Sequence, residues 1–153
     1  MAATVLWAAL LGGCPVSPGV PDVDSCANPN AITVESLEIG APTLDSVFQP
    51  WMDNDPVAFV IGDQGSAMIP MRIRLRGAIG GCVFQHTTFT DAGGELFFES
   101  SVALGIYRQS DGSFVTNTHW LIVNGPRPVT GDRAIVTTTV AATTTSRTLV
   151  LTQ

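Results

Sequence analysis

Between Ile69 and Arg76 the chain alternates residue by residue. Ile69, Met71, Ile73 and Leu75 are apolar, while the intervening Pro70, Arg72, Arg74 and Arg76 are not. Successive side chains on a β-strand point to opposite faces, so this spacing predicts a strand with one buried face and one wet face carrying three guanidinium groups. No long stretch elsewhere shows the 3.6-residue apolar period of a surface helix. Charged residues make up only 13% of the chain, against many β-branched ones, a balance that favours sheet over helix.

The remaining strands follow from turn chemistry. AITVESLEI, from Ala31, reads as a first strand. Gly40 to Pro56, with Pro42, Pro50 and Pro56, reads as an irregular crossing with Phe48 and Trp51 packed on the core. Val57 to Ile61 has strand length and stops at Gly62-Asp63-Gln64-Gly65, where glycine supplies the positive φ of a tight turn. Gly80-Gly81 leads into CVFQHTTFT, and Asp91 to Gly94 turns the chain again. Leu96, Phe98, Ser100, Val102, Leu104 and Ile106 share one parity, in one long strand or two short ones joined at Glu99 to Ser101. Ser110-Asp111-Gly112 is a hairpin signal before SFVTNTHWLIV, where Phe114, Thr116, Thr118, Trp120 and Ile122 fall on one side. After the loop Asn124 to Asp132 come RAIVTTTVAA and SRTLVLTQ.

Seven to nine short strands without crossover helices predict an all-β, antiparallel β-sandwich spanning residues 31–153. The expected form resembles the immunoglobulin class in strand number and length. No convincing Cys-Trp-Cys marker of antibody domains is present, and the single tyrosine, Tyr107, is not placed as a corner residue.

The N-terminal stretch bears on location. Ala2 to Gly13 has no charge, and the apolar run Val5 to Leu11 is too short for a membrane span of about 20 residues. It has the length of a signal-peptide core. Leu11-Gly12-Gly13-Cys14 then resembles a bacterial lipobox, which implies a signal peptide over residues 1–13, lipidation of Cys14, and attachment to a membrane through that N-terminal lipid. Met1 to Thr4 carries no Lys or Arg; the natural start then lies upstream, or the segment is a buried N-terminal element with an incidental cysteine. Residues 14–30, with Pro15, Pro18, Pro21 and Pro29, read as a proline-rich tether. Acylation of Cys14 leaves Cys26 and Cys82 as the one possible disulfide, which would stabilise the fold by about 4 kcal/mol on the chain-entropy estimate. Two unpaired thiols are the alternative. The segment GDQGSAMIPMRIRLRG also resembles part of a group of short uncharacterised lipoproteins of myxobacteria, which implies a cell-envelope location, periplasmic or surface-exposed, and no activity.

The chemistry-bearing residues are few. A serine hydrolase needs a nucleophile, a base and an orienting acid. The two histidines, His86 and His119, both fall in expected strands, and there is no Gly-x-Ser-x-Gly, no His-Glu-x-x-His and no Cys/His zinc spacing. Glu95 and Glu99 share a parity and are either a carboxylate pair or the solvated side of a strand. Asp53-Asn54-Asp55 resembles, in those three residues alone, the acidic loops of cadherins, which implies a calcium-binding adhesion-type domain as an alternative; ordinary turn chemistry is the simpler reading of the same residues. Arg72, Arg74 and Arg76 form either a site for an anionic ligand such as acidic polysaccharide or lipid head groups, or a row paired with Glu35, Glu38, Glu95 or Glu99. A net charge of -6 opposes nucleic acid as a partner. The expectation is a non-catalytic envelope module without a cofactor, with an envelope protein or polysaccharide as partner, and a small secreted hydrolase as the rival.

Overall fold

The computed structural model describes residues 32–43, 48–123 and 128–153, with no helix among them. The strands are β1 (Thr33–Pro42), β2 (Phe48–Pro50), β3 (Pro56–Ala58), β4 (Val60–Ile61), β5 (Ala67–Ala78) and β6 (Cys82–Asp91). They continue with β7 (Leu96–Arg108), β8 (Phe114–Thr116), β9 (His119–Ile122), β10 (Arg133–Val140) and β11 (Thr143–Thr152). The expected signal peptide, Cys14, the tether and Cys26 lie outside the described residues.

The alternation in β5 does what its spacing dictates. Ile69, Met71, Ile73 and Leu75 are completely buried, each worth about 1.5–3 kcal/mol relative to exposure. Pro70, Arg72, Arg74 and Arg76 occupy the outer face. β5 pairs along one side with β1 and along the other with β8 and β9.

The hydrogen-bonded order runs β2-β1-β5-β8-β7-β6-β10-β11-β3, with β4 and β9 joined to the first half of β5. This path doubles back on itself. β1 packs across β10 and β11, and the Thr143 hydroxyl donates to the Val34 carbonyl at 3.1 Å. The result is a β-sandwich: a front layer around β1, β5, β8 and β9 faces a back layer of β6, β10, β11 and β3. Ile39, Ile73, Phe89, Val136, Leu149 and Leu151 fill the space between them.

Two segments stitch the layers together. β7 is one unbroken strand whose residues 96–105 pair with β6 in the back layer, while Ile106–Arg108 pair with β8 in the front layer. The second segment is Val57 to Ile61, which the sequence presents as one strand and the fold divides. β3 pairs in parallel with β11, and β4 pairs with β5. Between them Phe59 is buried and its N–H donates to the Thr152 carbonyl at 2.9 Å.

The expected sandwich is therefore present, with corrections in detail. There are eleven strands among the described residues where seven to nine were expected, because β2, β3, β4, β8 and β9 are fragments of two to four residues. The β3–β11 pairing is parallel. SFVTNTHWLIV is not one strand. Thr116 puts its hydroxyl where a backbone carbonyl would sit, accepting the Ile73 N–H at 3.1 Å. The ladder breaks at Asn117 and restarts at β9. Thr116 is consequently buried while Trp120 and Ile122 face outward, and Leu121 and Val123 go in.

The back layer also buries polar groups. Gln85 Nε2 donates to the Thr87 hydroxyl at 2.8 Å, and Thr87 shares a hydrogen bond with Thr138 at 3.1 Å. Gln85 Oε1 is buried without a partner among the described residues.

Candidate functional site

The arginine row sits where the β5 alternation predicted, and its partners come from three elements. The Arg74 Nε donates to Glu38 Oε2 at 2.6 Å across the β1–β5 ladder. Its guanidinium also lies over the Phe48 ring, 4.8 Å from the centroid, a cation–π arrangement. Arg76 grips Asp111 twice, through Oδ2 at 2.7 Å and the backbone carbonyl at 3.2 Å. The Arg72 Nε donates to the Thr118 hydroxyl at 3.0 Å. Of the four glutamates expected as partners, only Glu38 meets an arginine among the described residues. Glu99 lies 3.6 Å from His86 instead, and Glu95 stands in the turn before β7, its N–H held by Asp91 Oδ1 at 2.7 Å.

Asp111, in the β7–β8 hairpin, is built for its position. Its Oδ1 accepts both the hydroxyl and the N–H of Ser113, at 2.6 and 3.0 Å. Those bonds, with Arg76 and then Arg74 adding smaller attraction, hold its carboxyl below the usual range. The Glu38 hydrogen bond, aided by Coulomb attraction and opposed by burial, raises Arg74 above the ordinary guanidinium value.

Three concavities follow one another along the outer face of β5. The first, about 150 Å³, lies between Phe48, Arg74 and the Gln109–Asp111 turn. The second, about 270 Å³, shares Gln109 and Val115 with it and adds Arg72, Tyr107 and Asn117. The third, about 290 Å³, lies beside Met68 and Ile122 under the Gly62–Gln64 turn. Between the second and third stands Trp120, in register with Pro70 and 44% exposed. Tyr107 is 40% exposed on the same face, in register with Val115 and so with Arg74.

The other candidates are placed differently. Asp53 Oδ1 accepts the Thr148 N–H at 3.0 Å, and Asp55 Oδ2 accepts the Met52 N–H at 2.8 Å. Asn54 adopts φ 69° and donates its N–H to the Thr148 carbonyl at 2.7 Å. The loop is thus sewn to the edge of β11 and guides the chain into β3. Among the described residues no three His, Cys, Asp or Glu side chains gather as metal ligands.

Each histidine meets a serine. His119 Nε2 and Ser100 Oγ are 3.0 Å apart, facing each other between β9 and β7. The imidazole lies against Phe98, centroids 5.8 Å apart, and burial lowers its pKa. On the outer back face His86 Nδ1 and Ser101 Oγ are also 3.0 Å apart. Neither histidine lines any of the three concavities. Cys82 is buried at the start of β6.

No protein-family model and no curated protein matches this chain. Among solved structures it is similar to the CooA pilin subunit from enterotoxigenic Escherichia coli, at 9% identity and a TM-score of 0.37, over 76% of this chain and 95% of that one.

Sequence reasoning had the arginines and missed what surrounds them. The aromatic residues on their face were visible only as strand positions. The one available signal was parity: Trp120 opposes Pro70, which shares the β5 face with Arg72.

Proposed function

We propose that this chain is an extracytoplasmic β-sandwich, held to a membrane through a lipid on Cys14, that serves as a non-catalytic binding or structural module of the cell envelope. In this reading residues 1–13 are removed as a signal peptide, residues 14–30 are the tether, and Cys26 pairs with Cys82. An envelope protein or polysaccharide is the partner; nucleic acid, membrane-spanning segments and cofactors play no part. The observation that carries the non-catalytic half is how the reactive side chains are used. Arg74, Arg76, Asp53, Asp55 and Asp111 hold strands and turns together, and the serine–histidine pairs lie on strand faces away from the three concavities. The lipid-anchor half rests on the resemblance of Leu11–Cys14 to a lipobox.

The test is the mass of the mature N-terminus. A chain that begins at Cys14 with a lipid, partitions into detergent and blocks two cysteines against alkylation until reduced supports the reading. A chain that retains Met1 and stays in the aqueous phase overturns it.

A hydrolase has one observation on its side. Ser101, His86 and Glu99 stand in a row on the back face, with hydroxyl-to-ring and ring-to-carboxylate distances of 3.0 and 3.6 Å. The row is exposed, with His86 at 45% and Glu99 at 55%, and a water-excluding site is what such a row needs to work. Replacing Ser101 with Ala should leave any turnover of activated esters unchanged. A loss on that substitution would favour the enzyme.

A further inference from the structure

Among the described residues, four strands are paired along one side only: β2, β3, β4 and β9. A free strand edge offers unpaired N–H and C=O groups to any other chain, and folded proteins block such edges with proline, charge or shortness. β2 and β3 carry Pro50 and Pro56. The N–H groups of Trp51 and Phe59 turn inward, to the carbonyls of Ile39 and Thr152. By strand alternation Pro50 and Pro56 then fall on the outward side, where each removes a donor. β4 is two residues long. β9 has none of these guards: from Thr118 to Val123 there is no proline and no Asp, Glu, Lys or Arg.

The register of β9 identifies its free groups. The Val123 N–H donates to the Ala67 carbonyl at 2.9 Å, so Val123, Leu121 and His119 turn their backbone groups toward β5, while Trp120 and Ile122 turn theirs away. Among the described residues nothing pairs with that outward side. β7 bonds to β8 through Ile106–Arg108 and otherwise to β6, so the front layer ends at β9. The outer face beside this edge is apolar. Val60, Met68 and Ile122 form one cross-strand row, and Pro70 and Trp120 form the next; Val60, Ile122 and Trp120 are exposed. Asp63 lies beyond the Met68 end of the patch. Arg72, hydrogen-bonded to Thr118, lies beyond the Pro70 end.

We propose that two copies of this chain pair through this edge, β9 against β9, antiparallel about a two-fold axis at Leu121. Trp120 of each copy then faces Ile122 of the other. These are the residues whose backbone groups turn outward, so every free donor meets a free acceptor, in about four hydrogen bonds. The same register sets the Ile122 side chain of one copy beside the Trp120 ring of the other, and the two apolar patches become one. Charge favours a second copy at this place. The molecule has a net charge of -6 and repels its own kind, but the patch holds no charged side chain, and antiparallel pairing lays the Arg72 end of each copy toward the Asp63 end of the other. One short strand and its patch cover less than the roughly 800 Å² per partner of a standard interface, so the dimer is weak and reversible. The inference goes beyond the reading of the chain as an envelope module and does not depend on the lipid.

Sedimentation equilibrium of the full chain in excess detergent, from about 1 μM to about 1 mM, should show a monomer–dimer equilibrium. Trp120→Lys guards the edge with a charge and should weaken association at least about tenfold, while Tyr107→Lys, on β7, leaves it unchanged. Two measurements keep the test decisive if Trp120→Lys fails to fold. In the parent, the Trp120 and Ile122 amides should exchange with solvent at least about tenfold more slowly at the highest concentration than at the lowest. A mixture of Trp120→Cys and Ile122→Cys should form a disulfide between copies, since hydrogen-bonded cross-strand partners lie about 5.5 Å apart between Cα atoms; either variant alone should cross-link far less. A chain that stays monomeric at about 1 mM, association that survives Trp120→Lys, or equal cross-linking of the mixture and the single variants would each overturn the proposal. So would slow exchange of both amides at every concentration, because another segment of the same chain would then be covering the edge.

Discussion

The two outer faces of the sandwich are made from the same kind of strand and end up chemically opposite. On the front, β5 presents arginines that reach across to β1, to the β7–β8 hairpin and to the chain break before β9, and the aromatic rings and concavities lie beside them. On the back, β10 and β11 present short hydroxyl side chains that pair with their nearest neighbours, Thr137 with Ser146 and Thr139 with Thr144, both at 2.9 Å. Short side chains satisfied at one strand spacing leave a level surface. The longer arginine side chains of the front reach to a neighbouring strand or its adjoining turn, and two of the three front concavities are lined by them.

The largest test of this contrast is Gly40, in register with Arg72 on the front. A Cβ there would run into the Gln49 carbonyl and the Phe48 ring, so β2 can fold down over the front only because that atom is missing. Gly40→Val should cost about 2–4 kcal/mol in chemical denaturation and release the Phe48 ring from Arg74. A smaller loss would mean that β2 is not the wall of the first concavity. Next is the interior of the back layer. Thr138→Val removes the partner of Thr87 and should cost about 1–3 kcal/mol, whereas Gln85→Met, which removes an unsatisfied oxygen, should be neutral or stabilising. Thermal melts of both variants decide the point.

Arg74→Met keeps the stem over Phe48 and loses the pair with Glu38. It should cost about 1 kcal/mol, since the pair is only partly shielded from solvent. Thr137→Val on the level back face should stay within about 0.5 kcal/mol of the parent. If the two are equally costly, the faces do not differ as described.

The smallest effect concerns pH. Burial lowers His119 below its ordinary value of 6.5, so as pH falls the unfolded chain takes up the proton first. The stability that His119 contributes is complete above that value and declines as pH drops below it. Melting temperatures between pH 7.5 and 5 should fall less steeply for His119→Gln, which cannot charge, than for the parent.

The period-two pattern in β5 was legible because a buried strand face tolerates no exceptions. Turn residues rather than parity located β1, β6, β10 and β11. Parity could not show that Val57 to Ile61 changes layers at Phe59, since the run is apolar throughout and β4 leaves both Val60 and Ile61 exposed. Nor could it see that Thr116 would stand in for a backbone acceptor, a substitution of hydroxyl for carbonyl that leaves no mark on apolar spacing. The arginines were legible and their partners were not. Glu35 falls at the bulge of β1 without a register partner while Glu38 lies opposite Arg74, and Asp111 is 35 residues away in a hairpin, positioned by Ser113 rather than by any charge pattern. Asp53 and Asp55 read alike as ligands or as turn formers until the edge of β11 is seen beside them.

β7 belongs to both layers at once, and that has a mechanical consequence. A strand whose first ten residues are bonded to one sheet and whose last three are bonded to the other cannot be peeled from either alone, so a load reaching one face is handed through its backbone to the other. Such a body resists stress as a single piece until it gives way altogether.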